Sequence, residues 1–318
     1  MLKLARRLVK NVPRVATLAA GAGIAWSALA VDHDMRLAPA LPGESSRIGD
    51  GSGGEVTVYS DRTGEGTPVL LVHSANAAAS AYEMRPIYTR LRGERPVWAL
   101  DLPGFGHSDR GDRPYSPRMM ALAIGSVLDT IGEPAHVVGL SLGAEFVARA
   151  AVDRDHQIQS LSLLSPTGFG ERRQNSAWLA AFLRFPPWSQ AVFDGIASRP
   201  SIRYFLDKTF AGPVDEMMLD YAYRTSHRPG ARFAPIAFLS GELNTPTAIE
   251  TLYSRIERPT LVLYDKDPFT TFSRLPEFLS GREGWKAIRI PGTRGLPHWD
   301  RPTQTMADLN SHWDSTGL

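Results

Sequence analysis

One stretch constrains this chain more than any other: His136-Val-Val-Gly139-Leu-Ser141-Leu-Gly143-Ala-Glu-Phe-Val-Ala-Arg-Ala150. Its first half is an apolar run of strand character and its second half favours helix, with Gly-Leu-Ser-Leu-Gly at the junction. A serine on so tight a strand-to-helix turn stands clear of the sheet, in a strained backbone conformation that only close packing tolerates. Gly139 and Gly143 suit the turn because strand and helix approach too closely for a Cβ on either side. The Ser141 hydroxyl then lies beside the N-terminus of the following helix, whose unpaired N–H groups favour developing negative charge. Ser141 is the first candidate catalytic residue, as a nucleophile. An ordinary glycine-rich turn is the alternative, and the strand before and helix after argue against it.

The flanking chain alternates strands and helices. Residues 56–60 read as an edge strand, and 69–72 and 97–100 as strands buried on both faces. Residues 81–91 and 116–131 read as helices, and 160–164, 260–263 and 286–290 as later strands. This alternation predicts an α/β fold, with a mainly parallel sheet and helices on both faces. Ligands of such sheets gather at the carboxyl ends of the strands, where His73, Asp101 and Ser141 all fall. Asp50-Gly-Ser-Gly-Gly54 reads as a linker or hairpin tip.

At 318 residues the chain suits one α/β domain carrying an insertion. It has no cysteine, which excludes disulfides, thiolate metal sites and a cysteine nucleophile. The net charge of +2 hides an asymmetry, because Lys3, Arg6, Arg7, Lys10 and Arg14 all precede the first acid, Asp32. The remaining body is mildly acidic, with no basic face that would suit nucleic acid. Residues 15–31 carry no charge, and Ala28-Leu29-Ala30 offers the spacing that a signal peptidase reads. Residues 1–31 therefore read as a signal or membrane-anchor segment, which implies an exported or membrane-associated protein. A cytoplasmic amphipathic leader is the alternative. The uncharged run is short for a membrane span, and its Ala/Gly richness makes insertion weak.

The series His73-Ser-Ala-Asn, Asp101-Leu-Pro-Gly-Phe-Gly-His-Ser and Gly139-Leu-Ser-Leu-Gly resembles the α/β-hydrolase fold family over roughly residues 55–315. The second motif is most similar to the branch of esterases, carbon–carbon bond hydrolases, dehalogenases and epoxide hydrolases. A serine at 141 argues against the last two, which use an aspartate nucleophile. The resemblance implies an oxyanion hole made by the N–H groups of Leu142 and Ala75, and a structural role for His73. It divides the chain into a core over 55–170 and 259–318 and a helical cap insertion over 171–258, rich in aromatics. A roof that excludes water would suit an apolar small-molecule substrate.

The resemblance also implies an acid after the strand at 260–263. Asp267, in Lys-Asp-Pro, fits that register, with Asp265 the alternative. The general base is where the chain departs most. Relatives carry Gly-His-Leu-Pro-His-Trp-Glu-Arg-Pro, and their first histidine is the base. Here the segment is Arg294-Gly295-Leu-Pro-His298-Trp-Asp-Arg-Pro302, so the catalytic place is Gly295 and only the second histidine remains. Either His298 swings in as the base or the triad is broken. The expected activity is a cofactor-free serine hydrolase cleaving an ester or similar carbonyl through an acyl-enzyme. Carbon–carbon bond hydrolysis and a silent binding module are its rivals.

Overall fold

The computed structural model describes residues 21–170 and 176–316. Eight strands form one sheet in the order β1-β2-β4-β3-β5-β6-β7-β8. They are β1 Glu44–Gly49, β2 Glu55–Asp61, β3 Val69–Val72, β4 Val97–Leu100, β5 Ala135–Leu140, β6 Ile158–Leu164, β7 Thr260–Tyr264 and β8 Trp285–Arg289. β2 is antiparallel to β1 and β4, and every pair from β4 to β8 is parallel. The sheet is thus mainly parallel, and the fold is that of the α/β hydrolases.

Side chains alternate between the faces. Leu70, Val72, Leu100 and Val137 point to one core, with Ile124, Val127, Phe146 and Val147 from helices α2 (Pro117–Ile131) and α3 (Gly143–Asp153). Val69, Leu71, Val97 and Val138 point to the other. There they meet Ile87, Leu91, Leu309 and Trp313 from α1 (Arg85–Leu91) and α12 (Pro302–Asp314). Ser116 caps α2 by accepting the Met119 N–H at 3.3 Å, which explains the start that the sequence gives it.

One strand escaped sequence reading. β1 (Glu-Ser-Ser-Arg-Ile-Gly) is almost wholly exposed, so it has no apolar alternation to betray it. It makes residues 56–60 a second strand rather than an edge. The hairpin tip is Asp50, whose Oδ1 accepts the N–H groups of Ser52 (2.7 Å) and Gly54 (3.0 Å).

Between β6 and β7 lie α4 Ala177–Arg184, α5 Pro186–Ile196, α6 Arg199–Thr209, α7 Glu216–Ser226, α8 Phe233–Leu239 and α9 Ala248–Thr251. The rest of the core adds α10 Leu275–Leu279 and α11 Pro297–Asp300. Residues 21–30 are helical. Residues 1–20 of the proposed leader lie outside the described residues. Among the described residues no helix is long and apolar enough to cross a membrane.

Candidate active site

The turn from β5 to α3 is as tight as its sequence implies. A Cβ on Gly139 would stand 2.9 Å from the Ala144 Cα, and one on Gly143 would overlap the His73 carbonyl oxygen. Ser141 is held at φ 51°, the left-handed region. Its N–H donates to Leu164 O at 2.9 Å and its carbonyl accepts the Ala144 N–H at 3.1 Å, so neighbouring strand and helix fix the strain. The hydroxyl has no hydrogen-bond partner among the described residues. Ser141 lines a cavity of about 440 Å³. The N–H groups of Leu142 and Ala75 form no hydrogen bond among the described residues, and both residues line the same cavity.

His73 ties down the loop after β3. Its Nε2 accepts the Leu102 N–H at 2.9 Å, so Nδ1 carries the proton and donates to Ser74 O at 2.5 Å. Burial lowers its pKa and keeps the ring neutral. Asp101 is likewise structural, accepting from Tyr59 Oη (2.8 Å), Ala81 N (2.7 Å) and His107 N (2.8 Å).

The acid candidates part company. Asp265 Oδ1 accepts Arg289 Nε at 2.5 Å and its Oδ2 accepts Gly292 N at 2.9 Å, away from the cavity wall. Asp267 lines the cavity, its Oδ1 accepting the N–H groups of Phe269 (2.7 Å) and Thr270 (3.2 Å). Gly295 lines it too, and a Cβ there would stand 3.1 Å from Asp267 Oδ2. Ser141, Asp267 and Gly295 therefore share one cavity, and the last holds no imidazole.

His298 lies elsewhere. Its Nε2 is 2.7 Å from Glu83 O, so this nitrogen carries the proton; Nδ1 is buried without a partner among the described residues. Burial pulls its pKa down to about 4, against the Glu83 bond. The residue is absent from the cavity wall. The expectation that it reaches Ser141 is not met in this arrangement, because α11 aims its ring at the turn 81–84. Trp299 Nε1 donates to the same Glu83 oxygen at 2.7 Å and helps to hold the turn there.

Glu83 was missed by sequence reading. It is 6% exposed, and its carboxylate accepts Ser74 N (2.9 Å) and Asn76 Nδ2 (2.7 Å). A lone glutamate in a helical pattern looks solvated, and no local signal marks it as buried. It couples the loop that carries the Ala75 N–H to α11. Glu83 and Asp267 are the wall's carboxylates, and among the described residues no histidine, lysine or arginine lines the cavity. Otherwise the wall is mainly apolar, with Ile196, Ile202, Phe205 and Met218 from the helices between β6 and β7. Among the described residues no cluster of three or more His, Cys, Asp or Glu side chains could hold a metal.

Comparison with known proteins fits this arrangement. Residues 69–309 match the alpha/beta hydrolase family. The dihydrolipoyllysine-residue acetyltransferase component of the acetoin cleaving system of Cupriavidus necator is 33% identical over 148 residues, 46% of this chain and 36% of that protein. A 2-hydroxymuconate semialdehyde hydrolase of Pseudomonas putida is 34% identical over 108 residues, 33% of this chain and 38% of the relative. The chain thus spans well under half the length of these curated relatives. Among solved structures, a meta-cleavage product hydrolase from Pseudomonas fluorescens superposes with a TM-score of 0.67 at 19% identity, covering 86% of this chain and 98% of that one.

Proposed function

The chain belongs to the α/β-hydrolase family, and from that premise we propose that Ser141 attacks an ester or similarly activated carbonyl and carries its acyl group. The single observation behind this reading is Ser141 itself, strained at φ 51° on the cavity wall with no hydrogen-bond partner for its hydroxyl among the described residues. In the reaction Oγ bonds to the carbonyl carbon while the Leu142 and Ala75 N–H groups hold the oxyanion. The Oγ proton passes to a base and then to the departing alcohol; water releases the acid by the same route. Asp267 is the orienting acid of this reading, and the helices of 171–258 act as a cap over a small apolar substrate. Asp265 fits the role less well, since both its oxygens serve β8 and the loop after it.

The base is the open member. For His298 to serve, its Nε2 must leave Glu83 O and its ring must cross to the cavity. In the arrangement described, proton transfer falls to solvent, and only well-activated carbonyls react quickly. The same apparatus would serve hydrolysis of a carbon–carbon bond next to a ketone. The hydrolases named for 2-hydroxymuconate semialdehyde and for meta-cleavage products support keeping that alternative. A second reading, a silent binding module, draws on one observation: the imidazole's usual place is Gly295.

A fluorophosphonate probe separates these readings. Labelling of the wild type and not of Ser141→Ala is expected; no labelling where a control hydrolase reacts would leave the binding module. We also propose that residues 1–31 attach the protein to a membrane, a reading supported by five early cations followed by seventeen uncharged residues.

A further inference from the structure

Away from the cavity, exposed large apolar side chains gather at two linked places, with Tyr204, Met217 and Ile288 exposed apart from them. The first is helix 21–30, which has no charged residue and is exposed on nearly every side, Ser27 being its one buried residue. Ile24, Trp26 and Leu29 point outward, Leu29 being 87% exposed. The second is the start of the helices between β6 and β7. Trp178 (74% exposed) stacks on Phe182 at 5.7 Å, and Trp188 packs on Phe182 and Phe185 at 5.4 and 4.4 Å.

The two places are joined. Ser27 Oγ donates to Asp194 Oδ2 at 2.5 Å, and Asp194 belongs to α5, the helix that carries Trp188. Six residues of helix separate them, roughly 9 Å. Asp194 is 1% exposed and is also held by Gln190 (2.8 Å) and His33 (2.9 Å), so the helix 21–30 is fastened to α5 and not merely resting on it. A helix without charge on any side is ordinarily buried, and this one faces outward. An apolar surface of this kind marks an interaction site.

The chain itself indicates the occupant. Directly upstream are six further uncharged residues, and before them Lys3, Arg6, Arg7, Lys10 and Arg14 with no acid among them. Cations that precede an uncharged helix in the sequence complement an anionic lipid surface, whose phosphates take the charges and whose acyl boundary takes Trp and Phe rings. Each cation near such a surface contributes about 1 kcal/mol, and firm attachment needs two signals together.

We propose that helix 21–30 and the aromatic face Trp178–Phe182–Phe185–Trp188 lie together on an anionic bilayer. The proposal rests on the membrane reading of residues 1–31 and adds a second contact from the body of the protein. The ten residues of 21–30 rise about 15 Å, half a bilayer core, so they lie along the surface.

The test uses the full chain with phosphatidylcholine vesicles, with and without about 30% phosphatidylglycerol. Wild type should sediment with the anionic vesicles, and brominated acyl chains should quench its tryptophan fluorescence. Trp178→Ser/Phe182→Ser should bind at least about tenfold more weakly and lose part of that quenching. Its fluorophosphonate reaction should be unchanged. Full binding by this variant, lost only on changing Lys3, Arg6, Arg7, Lys10 and Arg14 to Gln, would overturn the second contact and leave the leader reading intact. Failure of the wild type to bind any vesicle would overturn both. Light scattering that gives a dimer, dissociated by the double variant, would assign the face to a second copy and overturn the proposal.

Discussion

At the scale of single residues the site turns on Gly295 and His298. A Cβ at 295 would stand 3.0 Å from Thr209 Cγ2 and 3.1 Å from Asp267 Oδ2 on the cavity wall, so an imidazole there would lie beside the acid once Thr209 gives way. Gly295→His should therefore raise turnover of a p-nitrophenyl ester by roughly 10² or more, the usual worth of a positioned base. The stopped or steady-state assay must show no gain in Ser141→Ala/Gly295→His, or the new activity is not the serine's. His298 carries a different prediction. With its ring buried on Glu83 O, His298→Ala should lower stability by about 2–4 kcal/mol, through the cavity left by the ring and the loss of one of the two bonds to that carbonyl. It should change ester turnover less than about tenfold. A loss as large as that of Ser141→Ala, in a variant folded by circular dichroism, would make His298 the base that the sequence suggests.

At the scale of elements, the turn 81–84 is the joint between the oxyanion loop and α11. Glu83 accepts from Ser74 and Asn76 with its side chain and from His298 and Trp299 with its carbonyl. Glu83→Gln keeps the size but turns its amide donor on one of the two donors that Glu83 now satisfies, Ser74 N–H or Asn76 Nδ2, so the loop must shift. The rate of fluorophosphonate labelling should fall by on the order of tenfold, because Ala75 N–H moves off the oxyanion, while Tm changes little. Unaltered labelling would detach the loop from the reaction. The acid loop shows how finely an element sorts its side chains. Asp265 and Asp267 are two residues apart, yet one closes the end of β8 and the other faces the cavity.

At the scale of the whole molecule, buried neutral histidines tie stability to pH. Burial lowers the pKa of His73, His107, His227 and His312, and brings His136 to about 3 and His298 to about 4. Unfolded histidines titrate near about 6.5, so below that pH the unfolded chain binds more protons than the folded one. Stability is full above about pH 6.5 and falls as pH drops, the His298 share being lost between there and about 4. Urea midpoints should decline from pH 7.5 to 4.5, less steeply in His298→Gln; a flat profile would contradict the buried neutral rings. Helix 21–30 is part of this same body. Ser27 gives the buried Asp194 one of its donors, so Ser27→Ala should cost about 1–3 kcal/mol in denaturant titration. No change would mean that helix 21–30 is not fastened to α5.

Sequence alone determined what is local. The glycines around Ser141, the alternation of apolar strands with amphipathic helices and the glycine at 295 are each readable within about ten residues, because backbone sterics and periodicity act at that range. The strand Glu44–Gly49 was hidden because its exposed residues leave no pattern, its pairing with β2 being supplied from elsewhere. Which carboxylate faces the cavity, where the His298 ring points and that Glu83 is buried were decided by tertiary structure alone. Each depends on groups far apart in the chain, such as Glu83 and His298, whose contact is fixed only when α11 packs on the turn 81–84. A polar side chain's partner is set by that packing, and no spacing in the sequence encodes it.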